Sequence, residues 1–400
     1  MFSKKETSFL WLIALALLIK FALYLHILFD PSSIIEIDSH DYLLAAQAWQ
    51  HYFQVPAQGL HQGLLRTCGY PFFLTIFHLS LKLPLMGIIF LQNLLNILTA
   101  VFVFKAVVCM TDRETALLGA AIVLLDLPTM VFSDMIMTES LHLFTLSLFL
   151  YAFVRYINSR HMTWLLLGSI FLGLSVYVRP VSYFLGLPVA GFVLYLWGIK
   201  KWMKGLLCAL TCLVVVYGLL FIWQYHNLKT YGQFTFSSID KETVYSNNSI
   251  IGRYARETDP MLKRMPPVLY YVHSVGRNFL TLMGSPGNMK YFHSKAWKFF
   301  GIVFGYSFVV FWWIGMLFGL KGCLRDKRGQ LFILVLMYFI LVSLVSTGWR
   351  VTPRFRVPML PCIAFIAAYG WMGLLSGLKR GSKSMISRAA ATPDILPKIR

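Results

Sequence analysis

The chain has 400 residues, of which 58% are hydrophobic and only 13% charged. Soluble domains carry roughly 25% charged residues, so much of this surface must face lipid and a soluble globular enzyme is excluded. The formal net charge of +20 invites a nucleic-acid reading. The basic residues, however, sit in short stretches between apolar segments, the pattern of topology signals and lipid-phosphate contacts.

In chain order, Lys4 and Lys5 precede an apolar run from Phe9 to Phe29, long enough to span a bilayer. No small-residue cleavage site follows, so the run is expected to be retained as a first helix. Further apolar segments lie near 85–109, 115–133, 137–154, 162–178, 181–199, 205–224, 298–320, 331–347 and 357–378. This gives an all-α polytopic membrane protein of about ten transmembrane helices, a single domain over 1–380. A basic tail over 381–400, rich in Ser, Lys, Ala and Pro, is expected to be disordered. The six cysteines (68, 109, 208, 212, 323 and 362) show neither a pairing framework nor metal-ligand spacing.

Lysine and arginine set the orientation. With the N-terminus inside, Arg113, Arg155, Arg160, Lys200, Lys201, Lys204, Lys321, Arg325, Lys327, Arg328 and the tail all fall on the cytoplasmic side. The short outer loops receive only Arg66, Lys82, Arg179, Arg350, Arg354 and Arg356. Both termini are then cytoplasmic. Two outer segments are too polar to span, 30–84 and 225–297. In the first, Tyr42, Ala45, Ala46, Trp49, Tyr52 and Phe53 recur at helical spacing and predict an interfacial helix. The second contains Pro266-Pro267 and Gly284-Ser285-Pro286-Gly287, and reads as a small cap with turns. Its Asn247-Asn248-Ser249 matches a glycosylation sequon, a weak signal.

Acids are scarce, which makes Glu36-Ile37-Asp38-Ser39-His40-Asp41-Tyr42 conspicuous: three carboxylates within seven residues at a membrane edge. Either Asp38 or Ser39 reads as the N-cap of the interfacial helix, with Asp41 in its first turn, and Asp38 reads also as a base taking a proton from an acceptor hydroxyl. The two roles are compatible, because a cap fixes a carboxylate in place. Glu36 reads as a solvated loop charge. Asp126, Asp134 and Glu139 form a second acidic group at outer helix ends, where ionisable residues usually face the bundle interior. Thr138-Glu139 opening an apolar helix also reads as capping. Arg66, Arg179, Arg350, Arg354 and Arg356 supply outer cations able to grip a phosphate bidentately. For each singly, ordinary headgroup contact is the plainer reading. Lys20 lies mid-span, where a charge is costly, and must face the bundle or snorkel.

In order, these segments resemble the GT-C superfamily of membrane glycosyltransferases, in its bacterial branch of protein mannosyltransferases and lipid A aminoarabinose transferases. Asp38-Ser39-His40-Asp41-Tyr42-Leu43 with Ala45-Ala46 resembles the family's first outer-loop motif. Arg66-Thr67-Cys68-Gly69-Tyr70-Pro71 resembles its Arg-x-Pro-Gly-Tyr-Pro element, with Cys68 where proline is usual. Leu91-Gln92-Asn93, Thr138-Glu139-Ser140-Leu141, Gly173-Leu174-Ser175 through Arg179-Pro180, and Pro353-Arg354-Phe355-Arg356-Val357-Pro358 are similar to later elements. The resemblance covers 1–200 and 345–375. It implies a GT-C-type bundle and a polyprenyl-phosphate sugar donor. Transfer would run on the periplasmic face of a bacterial inner membrane, to an envelope glycan, lipid or protein. Asp38 and Glu139 are then the catalytic candidates. Asp41, Tyr42, Arg66, Tyr70, Arg179, Arg354 and Arg356 are candidates for substrate binding, and Asp38, Asp134 and Glu139 for a divalent metal. A single displacement would invert the anomeric centre. The other readings are an O-antigen polymerase or ligase and a secondary transporter or lipid flippase. A transporter is expected to show repeats and charges near the bilayer centre, where only Lys20 stands out.

Overall fold

The computed structural model describes residues 4–29, 34–51, 66–237, 265–287, 295–346 and 352–390, and among these the chain forms helices and no strand. Tyr52, Phe53, Arg350, the sequon at 247–249 and residues 391–400 lie outside them. Helix α1 (Lys4–Phe29) lies at the periphery, and α2 (Ile37–His51) follows. A short α3 (Gly69–Leu74) continues as a π-helical turn, Thr75–Ser80. Then come α4 (Leu85–Val108), α5 (Arg113–Leu125), α6 (Leu127–Ser133) and α7 (Glu139–Ser159). Helix α8 (Met162–Val178) leads through a 3-10 turn, Pro180–Leu185, into α9 (Gly186–Trp197) and α10 (Trp202–Tyr231). The last four are α11 (Pro267–Gly284), α12 (Lys295–Arg325), α13 (Lys327–Ser346) and α14 (Leu360–Ala390), the last entered through a 3-10 turn, Pro353–Met359.

Among the described residues eight helices are long and apolar enough to cross a membrane. Counting one bent pair as a single span gives nine, beside the expected ten. The apolar run 115–133 is a bent pair, α5 and α6, meeting at 56°. The cause is local. Asp126 leaves the helical conformation and caps α6, accepting from Thr129 N at 3.1 Å and Thr129 Oγ1 at 2.6 Å, with Pro128 in the first turn. Helix α8 has 17 residues, about 25 Å at 1.5 Å per residue, at the short end of the range that spans a bilayer. At the other boundary, α14 stays helical to Ala390, past Gly381 where the tail was expected to begin.

Successive spans alternate in direction, so α2, α3, α11 and the turn Pro353–Met359 gather at one end of the bundle. The opposite end holds the start of α1, where Glu6 meets Arg113 at 3.1 Å. Helices α12 and α14 touch backbone to backbone. A Cβ on Gly319 would lie 2.0 Å from Ile366 O, and one on Gly370 1.9 Å from Gly315 O. Small residues four apart permit such an approach between spans, where van der Waals contact drives association.

Candidate active site

The interfacial helix forms as its apolar spacing predicts. Tyr42, Ala45 and Ala46 are buried, and Trp49 stacks on Trp223 at 5.5 Å. Its capping differs from expectation. Ser39 Oγ accepts from Glu36 N at 2.9 Å and donates to Ile136 O at 2.9 Å, while Ile136 N donates to Ile34 O. The start of α2 is thereby fastened to the α6–α7 linker. Asp38 is therefore not needed as a cap, and its carboxylate turns to two arginines instead.

Arg66 arrives from the loop before α3. Thr67 Oγ1 donates to Val178 O at 2.8 Å, and Gly69 lies so close to α8 that a Cβ there would sit 2.6 Å from Tyr177 O. Replacing Gly69 by alanine is expected to push this loop off α8 and weaken the Arg66 contacts. A lowered unfolding midpoint would confirm it; an unchanged midpoint would show the fit is slack. Arg66 Nη2 donates to Asp38 Oδ1 at 2.7 Å and to Asp41 Oδ2 at 2.6 Å, and the guanidinium lies 5.0 Å from the Tyr42 ring centroid. Tyr70 stands edge-on to Tyr42 at 5.1 Å and donates to Gln92 Oε1 at 2.5 Å.

Arg354 joins the two acidic groups. It sits in the 3-10 turn before α14, where Pro353 pre-sets the backbone. Its Nη1 donates to Asp38 Oδ2 at 2.5 Å and its Nε to Glu139 Oε1. Arg179 Nη1 reaches the same Oε1 at 2.7 Å. Thr138 makes no side-chain cap; its Oγ1 donates instead to Glu139 Oε2 at 3.4 Å, while Glu139 Oε1 meets both arginines. Arg179 is extended, as a residue before proline tends to be. The turn after it is pinned by Ser182 Oγ against His142 Nε2 at 2.9 Å, and by Tyr338 OH donating to Val181 O at 2.8 Å.

The result is one chain of alternating charge: Asp41, Arg66, Asp38, Arg354, Glu139, Arg179. Three acids balance three arginines. Exposure separates their chemistry. The Asp41 side chain is 42% exposed and that of Asp38 26%, whereas Glu139 is 1% exposed. An incoming group can touch Asp38 and Arg354 but not Glu139. Burial works to raise the Asp38 carboxyl, but Arg354 and Arg66 outweigh it and hold it down at about 2. A group depressed in this way stabilises the fold above its ordinary value. That contribution is expected to be lost as pH falls from about 4 to about 2, visible as a drop in unfolding midpoint absent from Asp38→Asn.

Two sequence candidates stand elsewhere. Arg356 is buried, 3.8 Å from Asp126, and donates to Leu282 O and Ser285 O at the end of α11. It braces that helix and does not join the charge chain. Asp134 accepts from Asn93 Nδ2 at 2.7 Å, inside the bundle. Among the described residues no group of three or more His, Cys, Asp or Glu is arranged to hold a metal. A hard cation wants several oxygen ligands, while Asp38 and Glu139 are taken up by arginines, so the residues as they stand do not fit one. Gln92 and Thr67, which fell within the quoted motifs without a role, and His142, Ser182 and Tyr338, which escaped the sequence reading, hold the charged groups in place. For Gln92 the available signal was polarity inside an apolar span.

The chain is thus a membrane bundle with an acid–arginine site at the joint of its outer segments, and parts of it are similar to known proteins. Residues 66–223 match the family model described as dolichyl-phosphate-mannose-protein mannosyltransferase. The fold is shared with two solved structures from Archaeoglobus fulgidus. One is the oligosaccharyltransferase AglB in complex with an inhibitory peptide and a dolichol-phosphate (TM-score 0.55, 13% identity, 97% of this chain and 52% of that one). The other is an oligosaccharyltransferase in the apo form (TM-score 0.56, 13% identity, 94% and 52%). The chain spans about half the length of these proteins. No curated protein sequence matches it. The comparisons thus show a fold shared with two oligosaccharyltransferases and, over residues 66–223, a match to a mannosyltransferase family model.

Proposed function

We propose that the protein transfers a sugar from a polyprenyl-phosphate donor to an envelope glycan, lipid or protein on the periplasmic face of a bacterial inner membrane. The observation that carries this reading is Asp38 standing at the accessible part of the charge chain between Arg66 and Arg354. The matched family model names a dolichyl-phosphate sugar, and the similar AglB structure holds a dolichol-phosphate, both lipid phosphates. The basic residues at the end of the bundle away from the site support the orientation.

In this reading the donor phosphate takes Arg354 and Arg66 from Asp38. The acceptor oxygen attacks the anomeric carbon, and the bond from that carbon to the phosphate oxygen breaks. The polyprenyl phosphate leaves with the electron pair onto the arginines, and the acceptor proton passes to Asp38. One displacement inverts the anomeric centre. A carboxylate held at about 2 is a poor base near neutral pH, since a base works best with a pKa close to the working pH. Losing its arginines to the phosphate restores its basicity just when the acceptor needs it. The acid limb of kcat/KM, which reports the free enzyme, is therefore expected below about pH 4. The limb of kcat, which reports the complex, should lie at higher pH; coincident limbs would show that Asp38 keeps its arginines throughout.

No step in this scheme passes through a metal. Transfer is expected to persist in EDTA, and loss restored by a divalent cation would reassign the carboxylates. The direct test offers purified protein a panel of polyprenyl-phosphate sugars with envelope extract and follows label into the acceptor. Transfer from one donor identifies the sugar. Transfer only from diphosphate-linked glycans would favour the polymerase reading, and liposome transport without transfer the flippase reading.

A further inference from the structure

Lys20 is the charged group that the reaction leaves unexplained. It sits mid-way along α1 and is 4% exposed. Its Nζ donates to Asn93 Oδ1 at 3.1 Å and to Ser133 Oγ at 3.0 Å, and the Asp134 carboxylate acts on it electrostatically. A charge at this depth is costly and persists where it is paired inside the bundle.

Its partners converge on the α6–α7 linker: Ser133 is the last residue before it, Asp134 its first, and Asn93 of α4 itself donates to Asp134 Oδ1. Residues Asp134 to Thr138 form only turns and bends, so side chains set their course. From below, Gln92 Nε2 donates to Ser133 O at 3.1 Å and Met135 O at 2.5 Å, and Asn93 Nδ2 to Asp134 Oδ1. From above, Ile136 accepts from Ser39 Oγ and donates to Ile34 O, which holds the first turn of α2 and Asp38 with it. At its end the linker delivers Glu139 to Arg354 and Arg179. Both carboxylates that grip Arg354 thus hang from this linker, and the buried ammonium sits beneath it.

We infer that Lys20 is a positioning residue for glycosyl transfer: bonded to Asn93 and Ser133 and lying in the field of Asp134, it fixes the α6–α7 linker and so sets Asp38 and Glu139 around Arg354. This rests on the functional reading above. Lys20 touches none of the reacting groups, so its removal displaces the base without removing phosphate-binding arginines. A displacement of about 1 Å costs on the order of 100-fold in rate.

The experiment compares wild type, Lys20→Met, Asp134→Asn, the double variant and Lys20→Arg. Transfer from the reactive polyprenyl-phosphate sugar is measured beside the unfolding midpoint. Lys20→Met is expected to lower kcat about 100-fold with donor KM changed less than about threefold. The double variant, with both charges gone, should recover to within about tenfold of wild type, and Lys20→Arg should retain more activity than Lys20→Met. A lowered midpoint with unchanged kcat, or a double variant as impaired as Lys20→Met, overturns the proposal. Should wild type transfer from no donor, the functional reading falls, and the midpoints alone then decide the pair. Non-additive midpoints would keep Lys20 and Asp134 as a coupled brace of the linker, and additive ones would dissolve it.

Discussion

Replacing Asp38 by asparagine is expected to lower kcat by between about 10² and 10⁴, the usual range for removing a general base. The substitution keeps size, deletes the charge and turns one of the two acceptor oxygens into an amide donor. Because Ser39, and not Asp38, fastens the start of α2, the helix should stay in place. Deleting the charge also frees Arg66 and Arg354 from a carboxylate that competes with phosphate, so donor KM should hold steady or fall. A large kcat loss with unchanged or lower KM separates a base from a cap, because a lost cap would lower the unfolding midpoint and spare kcat. Transfer within a few-fold of wild type would remove Asp38 from the chemistry and leave Asp41, the most exposed acid of the chain, as the candidate.

Replacing Arg354 by methionine is expected to be the most damaging change to this site. Arg354 bridges Asp38 and Glu139, and Glu139 is sealed from solvent. Breaking a buried pair strands the remaining charge, at a cost of about 3–5 kcal/mol. Arg179 still reaches Glu139, so the loss should fall toward the lower figure. Pairing the change with Glu139→Gln removes the stranded charge and is expected to restore much of the midpoint. Transfer should stay lost in the double variant, because the phosphate has lost its cation. If transfer returns along with stability, Arg354 is a structural brace and the phosphate is held elsewhere.

Much of this site was legible as separate letters. The scarcity of acids in an apolar chain drew attention to Asp38, Asp41 and Glu139, and the arginines at helix starts marked Arg66, Arg179 and Arg354. What one dimension hides is the pairing. Arg354 meets Asp38 across 316 positions and Glu139 across 215, separations over which local spacing carries no signal. For the same reason Arg354 and Arg356, two residues apart, looked equivalent, yet the 3-10 turn sends one to the charge chain and the other to α11. The break at Asp126 was missed because the flanking residues are apolar on both sides and run length alone was judged. Neutral supports such as Ser182 and Tyr338 are common residues with nothing in their surroundings to mark them.

The glycine contact between α12 and α14 has a mechanical consequence. Two helices whose backbones touch cannot slide or part without forfeiting the contact along their seam. The turn carrying Arg354 is therefore mounted on a stiff post. The opposite jaw, α2 with the Arg66 segment, has no such backbone seam: it is held by buried side chains and by hydrogen bonds to the α6–α7 linker and the end of α8. On the proposed function, Arg354 is then expected to be the fixed reference for the lipid phosphate, and α2 the side that adjusts to an acceptor.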